Sequence, residues 1–232
     1  MKVSICIPTY EANGLGVKLL KTLIDSIIIQ TYPDIEIIIS DHSINDEIKK
    51  YTELLNLDNL KYLKYSEHIG KPAYNTNNAI LNSSGDLIKI MNMDDYFSDS
   101  DTIEKMVALI TNEFKWSLCG FKHKRSSSDE FYNYMIPKII GDGLHLLKGV
   151  NLVGCPSVGL FPRNVLIDPE VSYIIDCELW YRLFIQYGPP GIVNEYKIVI
   201  TTGDHSLTNK LLNDSKIMID NDTKYCFKKF NL

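Results

Sequence analysis

Basic residues are in short supply in this 232-residue chain: 24 lysines and arginines stand against 29 aspartates and glutamates, a formal net charge of -5. No cationic excess remains to neutralise a phosphate backbone, so nucleic acid is not an expected partner. Cysteine is sparse and unpatterned. Cys6, Cys119, Cys155, Cys177 and Cys226 are odd in number, far apart and form no C-x-x-C pair. They read as small core residues, and neither a zinc site nor a disulfide scaffold is expected. Long apolar runs are missing too. Residues 1–8 are apolar but end at Pro8, without the length of a signal h-region or a small-residue cleavage site. Nothing later approaches bilayer-spanning length. The expectation is a cytoplasmic protein with at most peripheral membrane contact. Gly14 and Gly16 alone make no dinucleotide-binding fingerprint, which sets hydride transfer aside.

What the chain does have is apolar content, 45% of residues, enough to bury the core of one α/β domain of this length. Residues 2–8 (KVSICIP) form a β-rich run closed by a proline, and residues 15–30 carry Leu20, Leu23, Ile24, Ile27 and Ile28 at helical spacing. After turn chemistry at Tyr32, Pro33 and Asp34, residues 35–40 (IEIIIS) have the unbroken branched character of a strand buried on both faces. Asn45 and Asp46 can cap a helix through Leu55. Residues 60–65 predict a third strand, 72–81 a third helix and 87–91 (LIKIM) a fourth strand. Strands separated by helices of this length imply βαβ units and a mostly parallel central sheet flanked by helices, with ligands beyond the carboxyl ends of the strands.

Each predicted strand ends in a polar cluster: Thr9-Tyr10-Glu11, Asp41-His42-Ser43, His68-Ile69-Gly70-Lys71 and Asn92-Met93-Asp94-Asp95. Such residues also dominate ordinary turns, and for Asp41 alone a turn or helix-capping carboxylate is the competing use. The fourth cluster is different. Two adjacent carboxylates and an amide concentrate negative charge that is costly without a cation, and oxygen ligands of this kind suit Mn²⁺ or Mg²⁺. Capping of the next helix does not require them, since Ser98, Asp99 and Ser100 can do that.

The order of these clusters resembles the inverting nucleotide-sugar glycosyltransferases of family 2, which have the A-type (GT-A) α/β fold. VSICIPTYE is similar to the family's opening strand, and IEIIISDHSINDE to its V-D-D-G-S-x-D segment. HIGKPAYNTNNAILNSSGDLIKIMNMDD resembles the stretch ending in D-x-D-D, and IDCELWYRL resembles E-D-x-[DE]-L-W-x-R-L. Four such segments in the right order carry the resemblance over nearly the whole chain. It implies one domain in two halves, residues 1–97 binding a nucleotide-diphospho-sugar and residues 98–232 binding an unidentified hydroxyl acceptor: a sugar, a lipid-linked sugar or a protein. Surface polysaccharide assembly is a natural setting.

The resemblance also implies roles. Pro8, Thr9, Tyr10 and Glu11 line the nucleotide, Tyr10 against the base. Asp41 accepts the N3–H of a uracil. Lys71 reaches nucleotide or phosphate, a solvated surface lysine being the alternative. Asn92 and Met93 belong to the nucleotide site, Asp94 ligates the metal, and Asp95 orients the donor sugar. Asn92 stands where the family's first Asp is usual, so it supplies no charge to the cation. His205, in TGDHSLTN, would ligate metal or contact phosphate unless it is a plain surface histidine.

Residues 175–186 (IDCELWYRLFIQ) put Ile175, Leu179 and Leu183 on one helical face. Asp176 and Glu178, two positions apart, are turned about 200° from each other, so both cannot enter one crevice. Glu178 precedes Arg182 by four residues and predicts a surface ion pair. Asp176 is either a helix cap or, as the resemblance implies, the general base. Residues 116–122, 157–161 and 196–202 read as strands, 123–134 as a polar stretch and 206–230 as an amphipathic helix. The rival functions are a catalytically degenerate nucleotide-sugar-binding module and a sugar-nucleotide pyrophosphorylase. The second wants a basic, glycine-rich loop after the first strand, and residues 9–16 contain neither Lys nor Arg.

Overall fold

The computed structural model describes residues 1–203 and 215–232. Strands β1 (Val3–Thr9), β2 (Ile35–Asp41), β3 (Leu60–Lys64) and β4 (Leu87–Ile90) form a parallel block in the order β3-β2-β1-β4. Because β1 is flanked by strands and covered on both faces, every residue in it except Pro8 is buried, which is why its sequence is a run rather than an alternation. Helix α1 (Gly16–Ile28) buries Leu20, Leu23, Ile24 and Ile27. Two further crossovers, α2 (Glu47–Leu55) and α3 (Pro72–Leu81), complete the block, Pro72 occupying the first turn, where its missing N–H is harmless. The chain runs outward from β1 through β2 to β3, then returns to place β4 on the other side of β1. That reversal opens a crevice at the carboxyl ends of β1 and β4.

The remaining elements are β5 (Tyr96–Phe97), α4 (Thr102–Ala108), β6 (Ser117–Arg125), β7 (Phe131–Met135), α5 (Leu144–Leu147), β8 (Gly159–Pro162), α6 (Ile175–Tyr187), β9 (Gly191–Thr202) and α7 (Ser215–Lys229). Strand β8 is antiparallel to both β4 and β6 and so joins the two halves of one nine-stranded sheet. Beyond it β6 and β9 are parallel, and β5 pairs antiparallel with β9. Among the described residues no helix is long and apolar enough to cross a membrane.

Residues 123–134, expected as an irregular polar stretch, instead extend β6 and return as β7 in a hairpin. Its stabilising pairs are aromatic and cationic: His123 stacks on Tyr132 at 5.5 Å and the Lys122 ammonium lies 4.2 Å from the Phe131 ring centre. Pairs of this kind hold two strands together without the apolar alternation that announces a strand. Residues 157–161 begin as a short 3-10 turn, Pro156–Val158, before becoming β8. The helix expected over 206–230 is α7; residues 206–214 lie outside the described part.

Helix α6 is seated by two tryptophans. Trp116 and Trp180 stack at 6.0 Å, and their indole N–H groups donate to the carbonyls of Gly188 (2.9 Å) and Gly154 (2.8 Å). Trp180 lies so close to β8 that a Cβ at Gly159 would come within 2.5 Å of its ring. Helix α6 is thereby held beside the turn preceding β8, and Asp176 lies in its first turn.

Candidate active site

Backbone and amide groups knit the ends of β1 and β2 together. The Thr9 carbonyl accepts from the His42 N–H (3.0 Å) and from Asn75 Nδ2 (3.1 Å), while Ser40 Oγ donates to Asn75 Oδ1 (2.6 Å). Asp41 is fully buried. Its Oδ1 accepts from the Ser43 N–H (2.9 Å), Ser43 Oγ (2.6 Å) and Thr9 Oγ1 (3.3 Å); its Oδ2 accepts from the Tyr62 hydroxyl (2.7 Å), with Lys64 Nζ at 3.7 Å. Both oxygens are thus used within the protein. The neighbouring His42 is different: it is 6% exposed, stacks on Tyr65 at 5.2 Å, and its Nε2 has no hydrogen-bond partner among the described residues. Burial pushes its pKa below the ordinary histidine value, and the Glu67 backbone hydrogen-bonds the ring. A neutral imidazole with Nδ1–H so engaged presents Nε2 as a bare acceptor.

Tyr10 is exposed at the rim. Burial of its hydroxyl, followed by the charges of Asp94 and Glu11, raises its pKa, so the three side chains share one neighbourhood. Glu11 Oε2 also accepts the Ile44 N–H at 3.2 Å, tying the loop after β1 to the loop after β2. Asp94 is half-buried, Met93 buried, and Asp95 only 1% exposed. Asp95 faces inward: Oδ2 accepts from Ser157 Oγ (2.6 Å), Asn92 Nδ2 (3.1 Å) and Cys155 Sγ (3.4 Å), and Oδ1 from the Thr201 N–H (3.2 Å). Burial, with the Asp94 charge second, raises its pKa to about 7. Asn92 suits this arrangement, because an ionised aspartate there could not donate to Asp95. Beneath them the fully buried Lys89 ammonium donates to the Ser157 carbonyl, and burial lowers its pKa.

Asp176 is the second residue of α6 and half-buried. Burial alone raises its carboxyl to about 7. The Cys155 thiol is held protonated by burial and then by the charges of Asp95 and Asp176, so both carboxylates act on it. The position preceding α6 is Ile174, which makes no side-chain cap. Glu178 corrects an expectation. It does pair with Arg182, at 2.8 and 3.0 Å, but it is buried rather than on the surface, because α7 covers that face and adds Lys229 Nζ at 2.7 Å.

The structure therefore gathers Thr9, Tyr10, Glu11, Asp41, Asn92, Asp94 and Asp95 around the ends of β1, β2 and β4, with Asp176 close enough for its charge to act on Cys155. Lys71 is exposed at the start of α3, and His205 lies outside the described residues. Among those described, no three His, Cys, Asp or Glu side chains converge as a metal-binding group. Sequence reasoning missed His42, Cys155, Ser157 and Thr201. Only His42 gave a local signal, by sharing a strand-end cluster with Asp41.

The family model described as Glycosyl transferase family 2 matches residues 4–168. An uncharacterized glycosyltransferase of Rickettsia typhi is 29% identical over 227 residues, covering 91% of this chain and 67% of its own length. Among solved structures, residues 1–349 of S. aureus TarS in complex with UDP-GlcNAc superpose with a TM-score of 0.68 at 16% identity, covering 96% of this chain and 66% of that one. The mannosyltransferase PcManGT from Pyrobaculum calidifontis, in complex with GDP-Man and Mn²⁺, gives 0.66 at 14% identity, covering 92% and 60%. The fold is GT-A. The chain spans about two thirds of the length of these relatives.

Proposed function

The chain belongs to glycosyl transferase family 2 and is a glycosyltransferase, and from that premise we propose that it moves a sugar from a UDP-linked donor to an acceptor hydroxyl with inversion, Asp176 serving as general base. The observation carrying this reading is the Asp176 carboxyl at the start of α6, raised to about 7 by burial and without an ion-pair partner among the described residues. A base of that pKa takes a proton near neutrality most effectively. The acceptor O–H gives its proton to Asp176 as the acceptor oxygen bonds to the anomeric carbon. The bond from that carbon to the β-phosphate oxygen breaks, and its electron pair leaves with the nucleoside diphosphate.

The residues fit a divalent cation held in part by substrate. Asp95 is engaged by Ser157, Asn92, Cys155 and Thr201, which leaves Asp94 as the carboxylate to hold Mn²⁺ or Mg²⁺; such ions are commonly bound by one or two carboxylates plus phosphate oxygens. When bound, the ion neutralises charge on the diphosphate. Asp95 we read as the residue that holds the strand end in shape around the donor sugar. For the base, His42 suits the acceptor role better than Asp41, since its Nε2 has no partner among the described residues whereas both Asp41 oxygens already accept hydrogen bonds. The imide N–H of uracil is a donor of the required kind, with Tyr10 and Glu11 flanking it.

The test is release of UDP from UDP-GlcNAc by the purified chain, with Mn²⁺ and without added acceptor. Slow metal-stimulated hydrolysis supports the reading. Binding without any release, also in the presence of candidate acceptors, favours a degenerate sugar-nucleotide-binding module.

A further inference from the structure

Helix α6 begins without a side-chain cap of its own: Ile174 stands at the N-cap position, and nothing from the adjoining sequence takes over. The missing anion comes from about fifty residues away. Asp222, on α7 and only 5% exposed, accepts the backbone N–H of Ser172 at both oxygens (3.1 and 3.0 Å), of Tyr173 (2.6 Å) and of Ile174 (3.1 Å). Three consecutive N–H groups converging on one carboxylate fix the turn leading into α6, and negative charge at a helix N-terminus is favourable. Helix α7 is fastened again about two turns after Asp222, where Lys229 bonds Glu178 (2.7 Å) and Asp168 (2.5 Å), and beside Asp222, where Thr223 Oγ1 donates to the Leu147 carbonyl (2.9 Å).

Asp176 lies two residues beyond Ile174, the last residue whose N–H Asp222 holds. Among the described residues the Asp176 side chain has no ionic or hydrogen-bonding partner to aim it, so its direction is set by the backbone of the first turn of α6. We propose that Asp222 is a positioning residue for the general base: α7 acts as a brace whose carboxylate holds the start of α6, and Asp176 with it, in the orientation from which it takes the acceptor proton. This inference rests on the reading of Asp176 as base. It assigns a catalytic purpose to a helix that the family match, which ends at residue 168, does not cover.

A remote change that misplaces a reacting group by about 1 Å can cost about 100-fold in rate. Asp222→Ala is therefore expected to lower kcat for UDP-GlcNAc hydrolysis by about 10- to 100-fold with the donor KM unchanged. Asp222→Asn keeps one acceptor oxygen for the turn and should fall between the alanine variant and the wild type. The decisive measurement is a double-mutant cycle. In an Asp176→Asn background Asp222→Ala should cost nothing further, because there is no base left to misplace. Additive losses, or a donor KM that rises as kcat falls, would overturn the brace and make Asp222 a fold residue only. If Asp222→Ala is too unstable to purify, the asparagine variant carries the same cycle. Full activity in Asp176→Asn alone would sink the assignment of the base, a different outcome from an additive cycle.

Discussion

Asp176 and Glu178 stand two residues apart on α6 and face opposite environments. The charge of Asp176, with that of Asp95, acts on the Cys155 thiol; Glu178, 1% exposed, pairs with Arg182 and Lys229. The helix's rotation of about 100° per residue makes the separation unavoidable, and packing of α7 decides which carboxylate is neutralised. The one without a cation is the one whose pKa is raised by burial.

The first expected outcome separates chemistry from stability on these two residues. Asp176→Asn keeps the size of the side chain and removes the proton acceptor, so turnover of UDP-GlcNAc should drop by about 10²–10⁴-fold while UDP affinity is kept. Glu178→Gln removes the negative charge between Arg182 and Lys229. It should lower stability by roughly 1.5–3 kcal/mol, the range for hydrogen bonds to charged groups, and leave kcat within a few-fold of wild type. Steady-state kinetics and denaturant melts on the same preparations check both. A Glu178→Gln protein that is stable but inactive would reverse the assignment.

A second expectation follows from the same pKa. Asp176 titrates at about 7 in the folded protein, above its value of about 3.9 in an unfolded chain. Between those values the folded state holds a proton that the unfolded state has released, so this group's contribution to stability declines as pH rises from about 4 to about 7. Asp176→Asn removes the penalty of ionising a recessed carboxyl. Its melting temperature should exceed that of the wild type at pH 8, with the difference narrowed at pH 5 and closing near pH 4. The rate should run the other way, with wild-type kcat/KM falling as pH drops through about 7. An equal melting difference at both pH values would contradict the burial of this group.

The parallel block was legible because its signals are local. Unbroken apolar runs such as IEIIIS mark strands covered on both faces, and Pro72 marks a helix start, so residues 72–81 were read with the bounds that α3 has. The strand-end clusters were legible for the same reason. The parts that were not legible depend on distant partners. Nothing near Asp95 tells that Ser157 and Thr201 will draw its carboxylate inward. Nothing near Glu178 tells that α7 will bury it. The hairpin of β6 and β7 escaped because its pairs are ring on ring and cation on ring. At the end of β2 the cluster was found, but which of Asp41 and His42 has an atom to spare depends on Tyr62 and Glu67, from β3 and the loop after it.

Metal dependence should be present but carried by one residue. With Asp95 engaged internally, Asp94→Asn should abolish the extra thermal stabilisation that Mn²⁺ adds to UDP, whereas Asp95→Asn should lower the melting temperature of the protein without ligand by loosening its contacts to Ser157 and Thr201. Melting curves with UDP plus Mn²⁺, UDP plus chelator and no ligand distinguish the two. Identical shifts in the presence and absence of Mn²⁺ in the wild type would remove the cation from the site.

The last expectation concerns the residue that reads the nucleobase. A neutral His42 with Nδ1–H engaged by the Glu67 backbone presents Nε2 as an acceptor, and the N3–H of uracil is a matching donor, whereas N3 of cytosine is itself an acceptor. UDP should therefore bind more tightly than CDP. Loss of the bond should cost about 1 kcal/mol, close to the typical net worth of a neutral hydrogen bond, so His42→Ala should weaken UDP several-fold and leave CDP little changed, erasing the preference. Asp41→Asn makes the opposite prediction. Replacing one carboxylate oxygen by an amide disturbs acceptor sites for Ser43, Thr9 and Tyr62, so the variant should lose stability while keeping the preference for uracil. Calorimetry with both nucleotides on the two variants decides the matter. If Asp41→Asn loses the uracil preference while remaining as stable as wild type, the carboxylate reads the base and the orphaned His42 nitrogen serves another purpose.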